Sequence, residues 1–211
     1  MSDPDELLDA FDDGLHPLGR MPRLIVHRDG LWHQVFHCLI VRSGPPARVL
    51  LQRRPATARS FAGLLDLSAT GHLLAGEEPP DGVRELAEEL GVTAAPSDLV
   101  PLGMRLLVDD SGEGRNREIV NAFLLPLDTP LEAFDLAGCD VAGLVEIDVA
   151  ALLQILGDGT AVVAARELRA DAVVRPITCH AADLVPAVDG YWTVLAIMAE
   201  RFVASEFPVS I

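Results

Sequence analysis

Residues 71 to 92, GHLLAGEEPPDGVRELAEELGV, constrain this chain more than any other stretch. Within it, Arg84-Glu85-Leu86-Ala87-Glu88-Glu89-Leu90 reads as the end of an acidic helix. Glu85, Glu88 and Glu89 stand at i, i+3 and i+4, so the three carboxylates project from one face. Val83, Leu86, Ala87 and Leu90 fall on the other side and give the helix something to bury. Pro79 and Pro80 suit a first turn, where no N–H is needed, and Gly91 suits the position just past the end. A solvated face is the ordinary explanation of clustered glutamates on a helix. Here they come with Gly71 and Glu77 upstream and with Gly91 and Val92 behind.

That constellation resembles the Nudix box, the signature of the Nudix hydrolases. Gly71, Glu77, Arg84, Glu85, Leu86, Glu88, Glu89, Gly91 and Val92 match the pattern in type. The loop between Glu77 and Arg84 is one residue shorter than the family's, beside the two prolines. This affects where Glu77 sits relative to the helix, not the phase of the helical glutamates. The resemblance implies an α/β fold, the Nudix α/β/α sandwich with a mixed central sheet. An N-terminal β-hairpin would precede it and a C-terminal helix would follow.

It also implies chemistry. A diphosphate linkage is charged and poorly electrophilic, so its hydrolysis needs activated water and neutralised charge. Hard divalent cations supply both, and they prefer oxygen ligands. By resemblance the cofactor is Mg2+ or Mn2+, held by Glu88 and Glu89, with Glu85 as a further ligand or as the group that orients water. One carboxylate left off the metal can act as base. The resemblance adds the carbonyl of Gly71, His72 and Glu77 to the metal surroundings. Arg84, four residues before Glu88, is placed to restrain that carboxylate.

The chain has 211 residues, half of them hydrophobic, enough for one good core with decorations. No apolar run reaches the roughly 18 residues of a membrane span, and MSDPDELLDAFDDG lacks the parts of a signal peptide. Cys38, Cys139 and Cys179 are odd in number and widely spaced, which fits buried thiols in a reducing cytoplasm. A net charge of −16 repels polyanions, so nucleic acid is not an expected partner. The expected partner is a small organic diphosphate, and a homodimer is allowed.

Residues 6 to 26 read as a hairpin about Asp12-Asp13-Gly14. From Trp32 to Val41 the chain reads as a buried strand. His33, Val35, His37 and Leu39 lie on one face, and Gln34, Phe36, Cys38 and Ile40 on the other. Val49 to Arg54 is the next strand, and Leu64–Ser68 and Gly71–Leu74 lead to the helix. Arg53 and Arg54 end their strand as a candidate phosphate clamp or as a solvated strand end.

HRDGLWHQVFH, LLQRR and the residues before Gly71 make the chain similar to the Nudix branch related to isopentenyl-diphosphate isomerase. In that isomerase, histidines on the first core strand, the histidine after the box glycine and downstream glutamates bind a metal. His33 and His72 fall at matching places, and His27 lies about one residue out of register. His37 shares the face of His33. The other reading of these four is packed core histidines. Glu118 matches one downstream glutamate, as a ligand or base or as a solvated strand start, and Asn116 stands where the other would be. Two departures from the isomerase stand out. Thr70 occupies the place of its cysteine, and Glu85, Glu88 and Glu89 keep the hydrolytic form of the box.

Strands are expected at Leu99–Val108 and Glu118–Leu125, with an acidic loop at 109–114 between them. A helix is expected at Val149–Leu156 with Gly157 past its end. Residues 160 to 186 fit helix and strand equally weakly. Trp192, Leu195, Met198, Ala199 and Phe202 form the packing stripe of a C-terminal helix. The expected division is 1–26 hairpin extension, 27–158 Nudix domain and 159–211 helical extension. The expected function is metal-dependent hydrolysis of a diphosphate linkage in a nucleoside diphosphate derivative or other organic diphosphate. The alternatives are an isomerase-like enzyme and a catalytically inactive binding module.

Overall fold

The computed structural model describes residues 6–109, 115–187 and 189–211. Chain entry is the expected hairpin, β1 (Leu7–Phe11) and β2 (Pro17–Pro22). The Asp12 carboxylate fastens its turn by accepting from the amides of Gly14 and His16 at 2.8 and 2.9 Å. The sequence reading extended this segment to residue 26, but Arg23–Asp29 is a helix, α1. Seven residues are too few for a helical period to show in sequence. Val26 packs with Leu8 and Ala10, and Gly30 closes the helix at φ 65°, a conformation glycine adopts freely. Thus α1 crosses the 26/27 division.

The central strand is β3 (Trp32–Arg42), and its two faces feed two cores. Val35, Leu39 and Val41 join one core, while Phe36, Cys38 and Ile40 join the other. On one side β3 runs parallel to β8 (Asn116–Pro126), which pairs antiparallel with the edge strand β7 (Val100–Asp109). On the other side it changes partner along its length. Ile40–Arg42 pair with β4 (Arg48–Arg53), whereas Val35–Cys38 pair with β6 (Ala69–His72). Between β4 and β6 the sheet therefore splits. Buried Ser68 spans the start of the split, accepting from the Ile40 amide at 2.7 Å and donating to the Leu50 carbonyl. The short β5 (Leu65–Asp66) pairs with β4.

Beyond β4 the sheet continues through β9 (Gly143–Asp148), β10 (Val163–Arg169) and β11 (Val174–Cys179). The described residues make an eleven-stranded mixed sheet with four α-helices. The box helix α2 (Arg84–Leu90) covers one face through Leu86 and Leu90. The other face takes α3 (Val149–Gly157) through Val149, Leu152 and Ile155, and α4 (Tyr191–Val203) through Trp192, Leu195 and Ala199. This is the α/β/α arrangement expected, with Met198 and Phe202 completing the α4 stripe.

Several local expectations change. Gly157 is inside α3, and Asp158 caps it. The ambiguous stretch is mainly the β10–β11 hairpin, so residues 159–211 supply two strands of the main sheet as well as a helix. Buried carboxylates seat this hairpin. Glu146 lies between Arg42 and Arg166, and Glu167 between Arg53 and Arg169. Cys38 and Cys179 are buried free thiols, while Cys139 is half-buried. Asp109 closes β7, and the rest of the acidic loop, 110–114, lies outside the described residues. Among the described residues no helix is long and apolar enough to cross a membrane.

Candidate active site

A 3-10 turn over Pro79–Val83 leads into α2, and Gly91, at φ 66°, ends it. The two prolines thus open the turn ahead of the helix. Leu86 and Leu90 sink into the core, but Ala87 is exposed rather than buried as expected. Seven helical residues present only a narrow buried stripe, and Ala87 falls outside it.

The three glutamates differ in their surroundings. Glu88 is open to solvent, with 61 % of its side chain accessible. Glu85 lies against the backbone of Gly71, where a Cβ would stand 2.1 Å from the carboxyl carbon, so any side chain at 71 would displace Glu85 from this position. Burial pushes Glu85 up to about 7, against the pull of Arg84. Glu89 reaches into the split between β4 and β6. Its Oε2 accepts from the Thr70 amide and from Gln52 Nε2, both at 2.9 Å. Burial pushes Glu89 up to about 8, although the Thr70 hydrogen bond opposes the shift. Of the two buried carboxylates only Glu85 is paired with an arginine, and Glu89, held by neutral donors, favours a cation.

Arg84 organises the cluster differently from the expectation. It donates to Glu85 Oε1 at 2.6 Å, Glu77 Oε1 at 2.9 Å and the His72 carbonyl at 2.7 Å. Its contact with Glu88 is longer, 3.4 Å. Glu77 also accepts from the Leu74 amide at 2.7 Å. Despite the short loop, Glu77 therefore meets Arg84 and ties the segment after Gly71 to the helix.

On the opposite face of β3, three histidines converge. His27 of α1, His33 of β3 and His72 of β6 each offer a ring nitrogen, all within 4.8 Å of one another. Nε2 of His27 and Nε2 of His72 are 3.1 Å apart. His33 Nδ1 donates to the Leu31 carbonyl at 3.1 Å, which leaves Nε2 as an acceptor; that atom is buried and has no partner. Burial lowers all three, His33 to about 4, so the rings are neutral and able to ligate a metal. Glu118 is the register partner of His33 and accepts from Asn116 Nδ2 at 2.7 Å. Burial raises it. The Asn116 Oδ1 is, like His33 Nε2, buried without a partner. His37 is separate: its Nδ1 lies 3.3 Å from the Tyr191 hydroxyl.

Arg53 and Arg54 are not solvated strand ends. Arg53 pairs with Glu167 and donates to the Gly63 carbonyl at 2.9 Å. Arg54 donates to Asp66 at 2.8 Å and to the Ser60 carbonyl at 3.2 Å.

An uncharacterised Nudix hydrolase of Clostridium acetobutylicum is 35% identical over 153 residues, 72% of this chain and 74% of that protein. The chain belongs to the Nudix hydrolase family. This Nudix protein is also 36% identical over 93 residues to an isopentenyl-diphosphate Delta-isomerase of Mycolicibacterium vanbaalenii, covering 43% of the chain and 50% of the isomerase. Its fold is that of a Nudix hydrolase from Alicyclobacillus acidocaldarius, with TM-score 0.53 and 14% identity over 84% of this chain and 96% of that one. No protein-family model matches the chain.

Sequence reasoning missed two features of the Nudix site. Gln52 stood in the LLQRR segment, yet nothing in one sequence says that it reaches Glu89. His27 looked out of register because α1 was not recognised. The helix carries it to the other two histidines.

Proposed function

We propose that this Nudix protein is a Mg2+- or Mn2+-dependent hydrolase of a diphosphate linkage in a nucleoside diphosphate derivative or other small organic diphosphate, acting in the cytoplasm. The observation that carries the reading is that Glu85 of α2 lies against Gly71 and Glu89 of the same helix reaches the Thr70 amide beside it, with Glu88 on that helix open to solvent. Glu88 and Glu89 would hold the ion with the Gly71 carbonyl, and Glu85 would orient water under the restraint of Arg84. When bound, the divalent ion supplies charge neutralisation at the phosphoryl oxygens and a more acidic water. Glu118, in register with His33 and held by Asn116, is a further candidate proton acceptor. His72 belongs with His27 and His33 to a second candidate metal site, whose imidazole donors suit softer ions than Mg2+. Arg53 and Arg54 could grip a phosphate only by loosening their present partners. An inactive binding module is disfavoured, because nothing in such a module would preserve the box carboxylates.

The test is a screen of nucleoside di- and triphosphates, dinucleotides, sugar nucleotides, and isoprenoid and thiamine diphosphates with Mg2+. Wild type should release phosphate or nucleotide from at least one. Glu88→Gln should lose that activity while melting like wild type, since an exposed side chain contributes within about 0.5 kcal/mol to stability. Equal release by the two proteins would refute the hydrolase.

A pH dependence follows from the burial of Glu85 and Glu89. In the folded protein their pKa values stand at about 7 and about 8, above the ordinary 4.5. Their contribution to stability is therefore fully present below 4.5 and is lost as pH rises through 7 and 8. The histidines act in the opposite sense, because their lowered values remove stability as pH falls below the ordinary 6.5. A cation on the carboxylates competes with their protons. Added Mn2+ should thus raise the melting temperature more at about pH 8.5 than at about pH 6. A gain that is flat, or larger at the acidic end, would place the ion elsewhere.

A further inference from the structure

A glutamine that is 2 % exposed is an unusual occupant of a strand whose other central positions, Val49, Leu50 and Leu51, are fully buried aliphatics. A buried amide is tolerated where its hydrogen bonds are made, and an aliphatic side chain would suit the packing without that demand. Gln52 lies on the α2 side of β4, in register with Asp66 and Leu144, at the mouth of the split between β4 and β6. Its Nε2 crosses to Glu89 Oε2 at 2.9 Å. The Thr70 amide meets the same oxygen, also at 2.9 Å, from β6. Two donors from the two banks of the split thus hold one carboxylate oxygen. Among the described residues none donates to the other oxygen, Oε1.

We infer that Gln52 is a positioning residue for Glu89, an inference that rests on the metal-dependent reading above. With Oε2 held by two donors, rotation of the carboxylate is restrained and Oε1 is left without a donor among the described residues. The neutrality of the donor matters. An arginine or lysine at 52 would reach the same oxygen but would neutralise Glu89 and compete with a cation. A glutamate would repel it. The amide restrains direction and brings no charge of its own to compete with a cation. Arg84 plays the corresponding part for Glu85, so neighbouring carboxylates of one helix are steered from different sides, one by an ion pair and one by an amide. Partners of this kind typically account for 10–100-fold in metal affinity or activity.

The test is a double-mutant cycle with two readouts, Mn2+ binding followed by electron paramagnetic resonance and turnover with Mg2+. Gln52→Met keeps the length of the side chain and removes its donor. It should weaken Mn2+ binding about tenfold or more and lower kcat more than it raises KM, with the fold intact. In a Glu89→Gln background the same substitution should change Mn2+ binding less than about twofold, because the oxygen it positions is no longer a charged ligand. Gln52→Leu serves as a second variant and should behave alike. Wild-type Mn2+ binding in Gln52→Met, or an equal loss in both backgrounds, overturns the inference while leaving the hydrolase reading intact. Failure of both variants to fold assigns Gln52 to packing and overturns it too. Wild-type protein that neither binds Mn2+ nor hydrolyses any diphosphate overturns both.

Discussion

Replacing Glu89 by glutamine is expected to lower turnover by about a hundredfold or more, with the protein still folded. The substitution is nearly isosteric and leaves the backbone of α2 untouched. It removes a carboxyl group that sits in the split of the sheet, where burial holds it up to about 8, so the buried charge and its cost are present in the apo protein above that pH. At about pH 8.5 the neutral amide relieves that cost, so Glu89→Gln should melt there at or above the wild-type temperature in chelator. Its gain on adding Mg2+ should be smaller. Activity and metal response fall while apo stability holds or rises, and a merely destabilising change does not give that combination. Steady-state kinetics and melting curves with and without Mg2+ measure both. Wild-type turnover in Glu89→Gln would remove this residue from the reaction.

Incubated with isopentenyl diphosphate and Mg2+, the protein is expected to form no dimethylallyl isomer above the rate without enzyme. The expectation needs argument, because the histidine cluster and Glu118 are the part of the site most like an isomerase. Moving a proton along a carbon skeleton needs an acid and a base on opposite sides of the substrate. Glu118 can serve on one side. On the other, the residue before Gly71 is Thr70, whose hydroxyl is far less acidic than a thiol of pKa roughly 8.5. Cys38 cannot substitute for it. The residue is fully buried, it lies on the α2 face of β3 away from the histidines, and burial pushes its thiol up. Isomer formed at an enzyme-like rate, and lost in Glu118→Gln, would overturn the hydrolase reading.

Much of this architecture was legible because it obeys short periods. The alternation along Trp32–Val41 assigned its residues to the two faces the structure shows. What escaped was set by contacts far apart in sequence. The seven residues of α1 carry too little period, and only the packing of Val26 against Leu8 and Ala10 settles their form. The β10–β11 hairpin carries several arginines, and its buried Glu167 makes sense only beside Arg53 of β4, as Arg166 does beside Glu146 of β9. For the same reason Gln52 and Glu89, thirty-seven positions apart, could not be paired in advance.

The ion pairs of that hairpin bear on where the chain could be shortened. Glu167 is 1 % exposed and is neutralised by Arg53 from the strand that also carries Gln52, while Glu146 meets Arg42 at the end of β3. A buried charge that loses its partner costs about 3–5 kcal/mol, a large part of the stability of a domain. A chain ending before Val163 would leave Arg53 without Glu167 and would bare the hydrogen-bonding edge of β9 as a template for aggregation. The C-terminal quarter of this protein is thus a retaining wall for the strands that aim the carboxylates, and the smallest piece expected to keep the site in shape extends past the region that contains it.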